Sequence, residues 1–362
     1  MLLLLIIIVG ITVSTLTIVW VLLFFMTTPK RALKIRPFVS VLVAARNEEE
    51  NISACIEALK RVNYPVDHFE VLIGNDESTD KTAAIVADAI KETTNFRLID
   101  IAGYKSRTKG KSRVLARLAK EAKGDYFFIT DADTSVPQEW IYELLGAFNE
   151  KTGIVTGVTL PQGKGIIGAM QAIDWAFAIT LVKAMEILRL PVTSMGNNMA
   201  IRREVYEEVG GYETLPFSIT EDYQLFRAVL KRGYGFKQLF NLRALASTVP
   251  VTNVKAILHQ RKRWMFGAVQ LPWYMLSILF FNGIVYSALL VMFILNWRLA
   301  LIAFVFKAIV HIAVLIRSLV HFRKGHLLFL YLIWEVYSAL LSTVLLIYYA
   351  LPTKVNWKGR MY

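Results

Sequence analysis

Five places along the chain of 362 residues carry side chains able to do chemistry. Asp131-Ala132-Asp133 sets two carboxylates one residue apart. In extended backbone both point the same way, a pattern suited to a hard divalent cation held by oxygen ligands. Alone, the same pattern also describes a solvated turn after a strand. Asn75-Asp76-Glu77 is a second acidic group. Lys109-Gly110-Lys111-Ser112 offers ammonium groups and a pliable backbone to phosphate, although it lacks P-loop spacing, and it also reads as a basic solvated loop. Thr220-Glu221-Asp222 has the form of a helix start, with Thr220 as cap and acids that complement the helix dipole. A carboxylate near a cation site can also take a proton. Gln260-Arg261-Lys262-Arg263-Trp264 gathers an amide, three cations and an indole in one turn and a half of helix.

An alternating pattern must position these groups. Ser40 to Ala45 is a short apolar run read as a strand, and Asn47 to Glu50 opens a helix with Ile52, Cys55, Ile56 and Leu59 at helical spacing. Phe69 to Gly74 is the next strand, followed by Ser78 as N-cap of a helix through Ile90. Strand 96–101, helix 112–122 and strand 126–130 complete the series. Alternation of this kind predicts an α/β domain with a doubly wound, largely parallel sheet. Ligands of such sheets bind outside the carboxyl ends of the strands, which is where Asp76, Asp131 and Asp133 fall. Residues 195–203 read as a further strand with a polar edge, and 254–266 as an amphipathic helix lying on a bilayer surface.

Composition adds the membrane. Hydrophobic residues make up 55% and charged ones 19%, against roughly 45–50% and about 25% for soluble domains. Residues 1–26 contain no charge and are long enough to cross ~30 Å of hydrocarbon; they lack the basic start and cleavage pattern of a signal peptide. Three more spans are expected at 273–295, 299–316 and 327–351, with Asn296-Trp297-Arg298 as a tight turn. Four stretches, 30–36, 255–263, 317–326 and 354–360, hold 14 of the 41 Lys and Arg and no acid, which leaves 27 basic residues against 28 acidic ones elsewhere. The excess therefore flanks apolar segments, as the positive-inside rule requires. With no reading motif, it does not describe a nucleic-acid surface. The expected organisation is an anchor (1–28) with the N-terminus outside, a cytoplasmic domain (38–252), an interface helix (253–271), a membrane region (272–351) and a basic tail (352–362). Lys30, Arg31, Lys34 and Arg36 hold the domain on the inner side. The apolar stretch 170–190 is interrupted by Asp174, Lys183 and Glu186 and reads as a floor helix, not a span. Lys307 and Glu335 fall at similar depth on antiparallel spans, which predicts an intramembrane pair or, equally, snorkelling toward headgroups. Cys55, the single cysteine, is expected to be buried and inert.

As an ordered set, Ala45-Arg46-Asn47-Glu48, Asn75 to Asp80, Lys109-Gly110-Lys111, Asp131-Ala132-Asp133, Thr220-Glu221-Asp222 and Gln260 to Trp264 resemble the motifs of membrane-integrated family-2 glycosyltransferases. That group includes cellulose and hyaluronan synthases, ceramide glucosyltransferases and carotenoid glycosyltransferases. The resemblance spans about 40–267. It implies a GT-A fold and inverting transfer from a nucleotide-sugar, most simply UDP-linked, to a membrane lipid or lipid-like acceptor, with Mg²⁺ or Mn²⁺ as cofactor. It implies that Ala45, Arg46, Asn47, Glu48 and Asp76 contact base and ribose, and that Lys109 and Lys111 serve the nucleotide or its phosphates. Asp131 and Asp133 would meet the metal and the nucleotide sugar, Asp222 would be the base, and Arg263 would neutralise the leaving diphosphate. Glu221 and Gln260 would line the substrate site, and Trp264 the acceptor wall. Asn197-Asn198, in place of the small residues of polymerising relatives, points to the lipid-glycosylating branch in a bacterial inner membrane. A processive polysaccharide synthase and a non-catalytic membrane scaffold or transport subunit are the alternatives, and oligomeric state is not legible.

Overall fold

The computed structural model describes residues 1–26, 36–350, 356–357 and 360–361. Of the basic flanks, Lys30, Arg31 and Lys34, with Lys354, Lys358 and most of the expected tail, lie outside the described residues.

Four apolar strands begin the domain: β1 (Val39–Ala45), β2 (Phe69–Asn75), β3 (Phe96–Asp100) and β4 (Tyr126–Asp131). They run parallel in the order β3-β2-β1-β4, as the alternation predicts. β1 is buried on both faces, so it carries a continuous apolar run and no polar alternation. Val41 and Val43 face one core with helices α2 (Ile52–Lys60) and α3 (Thr82–Ile90). Leu42 faces the other core with α4 (Gly110–Glu121). The short strand β5 (Thr134–Ser135) and helix α5 (Trp140–Gly146) follow. The chain then forms β6 (Thr152–Thr156), β7 (Val158–Pro161), helix α6 (Ile166–Ile187) and β8 (Asn198–Arg202). β8 returns antiparallel between β4 and β6, which closes the parallel series. Two short helices, α7 (Arg203–Glu208) and α8 (Gly211–Thr214), lead to α9 (Glu221–Lys231). β9 (Gly235–Gln238) completes the seven-stranded sheet, and β10 (Leu245–Thr248) joins β5 and β7 in a smaller one.

Two local expectations are corrected. The first helix begins at Ile52, not within Asn47–Glu50, because Asn47 takes a left-handed backbone (φ 51°) and its amide side chain accepts from Thr79 N at 2.9 Å. Ser78 caps no helix: its hydroxyl accepts from Asn47 N at 3.1 Å, and α3 starts at Thr82. Both differences have one cause. The loops after β1 and β2 are laced to each other, which fixes the sheet edge where ligands are expected.

Helix α10 (Val254–Ala268) is capped by Asn253, whose side chain accepts from Ala256 N at 2.8 Å. α11 (Trp273–Leu295) and α12 (Trp297–His321) share Asn296 as a one-residue turn, and its side chain caps α12. A 3₁₀ segment at Gly325–Leu330 leads into α13 (Tyr331–Ala350). With α1 (Leu2–Leu22), α11, α12 and the segment that ends in α13 are long and apolar enough to cross a membrane. So is α6 by length and composition, but 56% of its apolar window is buried in protein, against 18–33% for the others. α6 packs on β7 and β9 along one side and on α1, α12 and α13 along the other, which makes it a floor between sheet and bundle.

Inside the bundle, Lys307 Nζ lies 2.5 Å from Glu335 Oε2, the pairing expected from depth. His311 Nδ1 is 2.7 Å from Glu335 Oε1, and the Tyr286 hydroxyl donates to Oε2 at 2.9 Å while accepting from Lys307 at 3.0 Å. Tyr331 also donates to this carboxylate. One acid thus collects donors from three helices, which offsets the cost of placing charge in hydrocarbon. Cys55 is buried, and burial pushes its thiol up, as an inert role requires.

Candidate active site

A cavity of about 490 Å³ opens at the carboxyl ends of β1, β2 and β4. Its wall includes Ala45, Arg46, Glu48 and Asp76 from the first two loops, Lys111 from α4, and Asp131 and Asp133 from the end of β4. Asn197, Glu221 and Asp222 come from the turn before β8 and the start of α9, and Gln260, Arg263 and Trp264 from α10. Thirteen of the sixteen residues singled out in the sequence therefore face one space.

The other three do not. Lys109 is an exposed residue at the N-cap position of α4 and is not among the residues that line the cavity. Asn47 is spent on the loop contacts given above. Asn198 is fully buried: its Oδ1 accepts from Trp140 Nε1 at 2.8 Å, and its Nδ2 donates to the carbonyls of Val158 and Ala244 at 2.9 Å each. It ties strands together, so the expected substrate contact at this position is corrected to a structural one. Asn197 alone reaches the cavity, its Oδ1 accepting from Thr159 at 3.0 Å.

The acids are organised around cations. Lys111 Nζ sits 2.6 Å from Asp131 Oδ1 and 2.9 Å from Glu221 Oε1. Burial opposes its charge, but Asp131, Glu221 and Asp222 outweigh it and hold the ammonium above its ordinary range. Asp76 meets Arg113 Nη2 at 2.7 Å, and its carbonyl accepts from Arg46 at 2.5 Å. Arg113, two residues beyond Lys111, was not singled out. Its place on the same helix was the available signal.

Asp222 occupies the first turn of α9. Its Oδ2 accepts from Gly196 N at 2.8 Å and its Oδ1 from Tyr223 N at 2.8 Å. Burial first, and Glu221 second, push its carboxyl up to about 6, against the opposing pull of Lys111 and the two amides. That value puts a proton acceptor near neutrality, where a general base works best. Gly196 is required by this contact: a Cβ there would lie 2.8 Å from Asp222 Cβ. Gly267 does the same for α10, since a Cβ would meet Thr220 Cγ2 at 2.7 Å, and so lets the arginine-bearing helix close on the acidic one. Burial lowers the Arg263 guanidinium from its ordinary value, against the raising fields of Glu221, Asp131, Asp133 and Asp222. It stays charged at neutral pH.

Apolar side chains share the lining, among them Ile179 and Val182 of α6 and Leu271 after α10. Trp264 packs edge-on against Trp175 at 5.1 Å and under the Arg261 guanidinium at 4.7 Å.

This fold and motif order define a glycosyltransferase of the GT-A type. A mannosyltransferase from Pyrobaculum calidifontis, solved with GDP-Man and Mn²⁺, superposes with a TM-score of 0.55 at 18% identity. The match covers 92% of this chain and 99% of that one, and it shows the shared fold. The family model of Glycosyl transferase family 21 matches residues 2–362, and the chain belongs to that family. Curated relatives include a probable glycosyltransferase, YdaM, of Bacillus subtilis (31% over 240 residues; 64% of this chain, 55% of the relative). A beta-monoglucosyldiacylglycerol synthase of Nostoc is 30% identical over 244 residues (65% and 49%). A poly-beta-1,6-N-acetyl-D-glucosamine synthase of Staphylococcus aureus is 29% identical over 233 residues (63% and 54%). The chain spans about half the length of the curated relatives it matches.

Proposed function

We propose that the protein transfers one sugar, with inversion, from a nucleotide-sugar to the hydroxyl of a membrane lipid or lipid-like acceptor. One observation carries this reading: Asp222, Arg263 and Asp133 face one cavity that is also lined by Ile179 and Val182 of α6, a helix packed against others long enough to span a membrane. Single displacement at an anomeric carbon needs a base on the acceptor side and charge stabilisation on the leaving side. Asp222, held by Gly196 and Tyr223, takes the acceptor hydroxyl proton. Arg263, which lies in the field of Glu221, Asp131, Asp133 and Asp222, supplies positive charge to the departing diphosphate. Arg46, Glu48 and Asp76 edge the nucleoside end of the cavity, and Lys111 keeps Asp131 and Glu221 in place beside the phosphates. Trp264 forms the acceptor wall.

Among the described residues no group of three or more His, Cys, Asp or Glu could hold a metal ion by itself. Asp131 is engaged by Lys111, which weights a cation site toward Asp133. A set of one or two carboxylates completed by diphosphate oxygens and water is the form magnesium-type sites take, and the donors present fit it. Bound Mg²⁺ or Mn²⁺ would neutralise charge on the diphosphate. We place the catalytic domain on the cytoplasmic face of a bacterial inner membrane, from the basic flanks of the spans.

The test is purified protein with Mn²⁺ or Mg²⁺, screened across UDP-, GDP- and dTDP-sugars with lipid extract, with products analysed by mass. One hexose or N-acetylhexosamine added per lipid, lost with EDTA and in Asp222→Asn, is expected. A polymer ladder would replace this reading with processive synthesis. No nucleoside diphosphate release under any condition would refute it.

A further inference from the structure

Gly210 and Gly211 both take left-handed backbone (φ 81° and 56°), and a Cβ at Gly211 would lie 2.6 Å from the Tyr206 ring. This tight turn seats Tyr212 of α8 in the core shared by α4 and α9. Its N–H donates to the Tyr206 hydroxyl at 3.1 Å, and the two rings meet edge-on at 5.8 Å. Tyr212 is 2% exposed, and its own hydroxyl has no hydrogen-bond partner. A buried donor left unmade is costly, and phenylalanine would fill the same space without that cost. Burial first, and Glu221 second, push the phenol up, so it keeps its proton at neutral pH and remains a donor. Of the carboxylates whose fields reach this hydroxyl, Glu221 acts most strongly, ahead of Asp222 and Asp131. Glu221 in turn pairs with Lys111 at 2.9 Å, and both line the cavity, whereas Tyr212 does not.

We propose that the Tyr212 hydroxyl is a positioning group for Glu221, donating to its carboxylate once the diphosphate of the sugar donor has drawn Lys111 away from it. The inference rests on the transferase reading above. One ammonium serves both Asp131, at 2.6 Å, and Glu221. A diphosphate carries more negative charge than either carboxylate and competes for that ammonium. Glu221 would then be a largely buried carboxylate without its cation, next to Asp222 and facing incoming phosphate, an arrangement that like charge and desolvation both oppose. A carboxylate turned onto Tyr212, outside the cavity lining, takes its charge out of the path of the phosphates. A charge-assisted O–H···O⁻ bond replaces the ion pair, and the hydroxyl that packing does not need is put to use.

The experiment uses the full chain in detergent and has two arms. Tyr212→Phe removes the hydroxyl and keeps the ring, so without nucleotide its thermal midpoint should equal or exceed that of wild type. In a Lys111→Met background, which releases Glu221 permanently, the same substitution should lower the midpoint by about 2–4 °C. In the second arm UDP, GDP and dTDP are titrated with Mn²⁺. The one that binds wild type most tightly should bind Tyr212→Phe about tenfold more weakly. With Glu221→Ala already in place the acceptor is gone, and Tyr212→Phe should change that affinity by less than about twofold. A lowered midpoint or failure to fold of Tyr212→Phe without nucleotide would show the hydroxyl already engaged and overturn the hand-over. So would an unchanged nucleotide affinity, or the same loss with and without Glu221. If the Lys111→Met chain does not fold, the nucleotide arm decides. Binding of none of the three nucleotides to wild type would count against the transferase reading itself, and the Lys111→Met comparison would then decide the Tyr212–Glu221 contact.

Discussion

Gly196→Ala isolates the geometry of the base. The new Cβ would sit 2.8 Å from Asp222 Cβ, 3.1 Å from Cγ and 3.0 Å from Oδ2. Carbon atoms rest at about 3.5–4.0 Å, so the carboxylate must retreat by roughly 0.7–1 Å or the turn 195–197 must open. Either movement breaks the 2.8 Å bond from Gly196 N to Asp222 Oδ2. Misplacing a reacting group by about 1 Å costs on the order of 10²-fold. The lost amide donor was also holding the carboxylate's proton affinity down, so its pKa rises above about 6. A base works deprotonated, so the rate falls as pH drops through this value, and in the variant that fall begins at higher pH. Steady-state transfer from pH 5 to 8 measures kcat and its acid limb, and titration with the nucleoside diphosphate reports the donor site, which should bind as before. A Gly196→Ala enzyme with wild-type kcat and an unmoved acid limb would show that Asp222 is not the group taking the proton.

Further expectations come from the same geometry. Asp222→Asn should lower kcat by roughly 10²–10⁴-fold with nucleotide affinity retained, measured by single-turnover transfer. Lys111 lowers and Glu221 raises the proton affinity of Asp222. Lys111→Met should therefore move the acid limb of kcat upward, and Glu221→Gln downward; shifts in the same direction would contradict the charge arrangement. In the bundle, Lys307→Met or Glu335→Gln alone leaves a buried charge without its partner, a loss of about 3–5 kcal/mol in buried pairs. The thermal midpoint in detergent should drop for each single variant and recover in part in the double one. Neutral single variants would mean that the pair contributes nothing.

Much of the domain was legible because its signals are local. Strands β1, β2 and β4 are apolar runs buried on both faces, and the long helices are apolar runs with few charges, so length and composition find them. Depth on two antiparallel helices, read with one ruler of 1.5 Å per residue, left pairing and snorkelling equal for Lys307 and Glu335, and the packing of the helices decided for the pair. Expectations failed where a side chain serves a distant loop. Ser78 looks like a cap, yet it bonds Asn47, 31 positions away.

The sequence by itself determined the order of the elements, the carboxyl-end placement of Asp76, Asp131 and Asp133, and the apolar lengths that frame the domain. Only the tertiary structure decided that Asn198 is buried glue while Asn197 faces the cavity. It alone showed that Lys111 bridges Asp131 to Glu221, that Gly196 holds Asp222, and that Asp174 and Trp175 brace Trp264. The physical reason is range. Periodicity and propensity report what a residue does within one or two turns of chain, whereas an ion pair between Lys111 and Glu221 exists only after α4 and α9, distant in the chain, have packed into one core on the same face of the sheet.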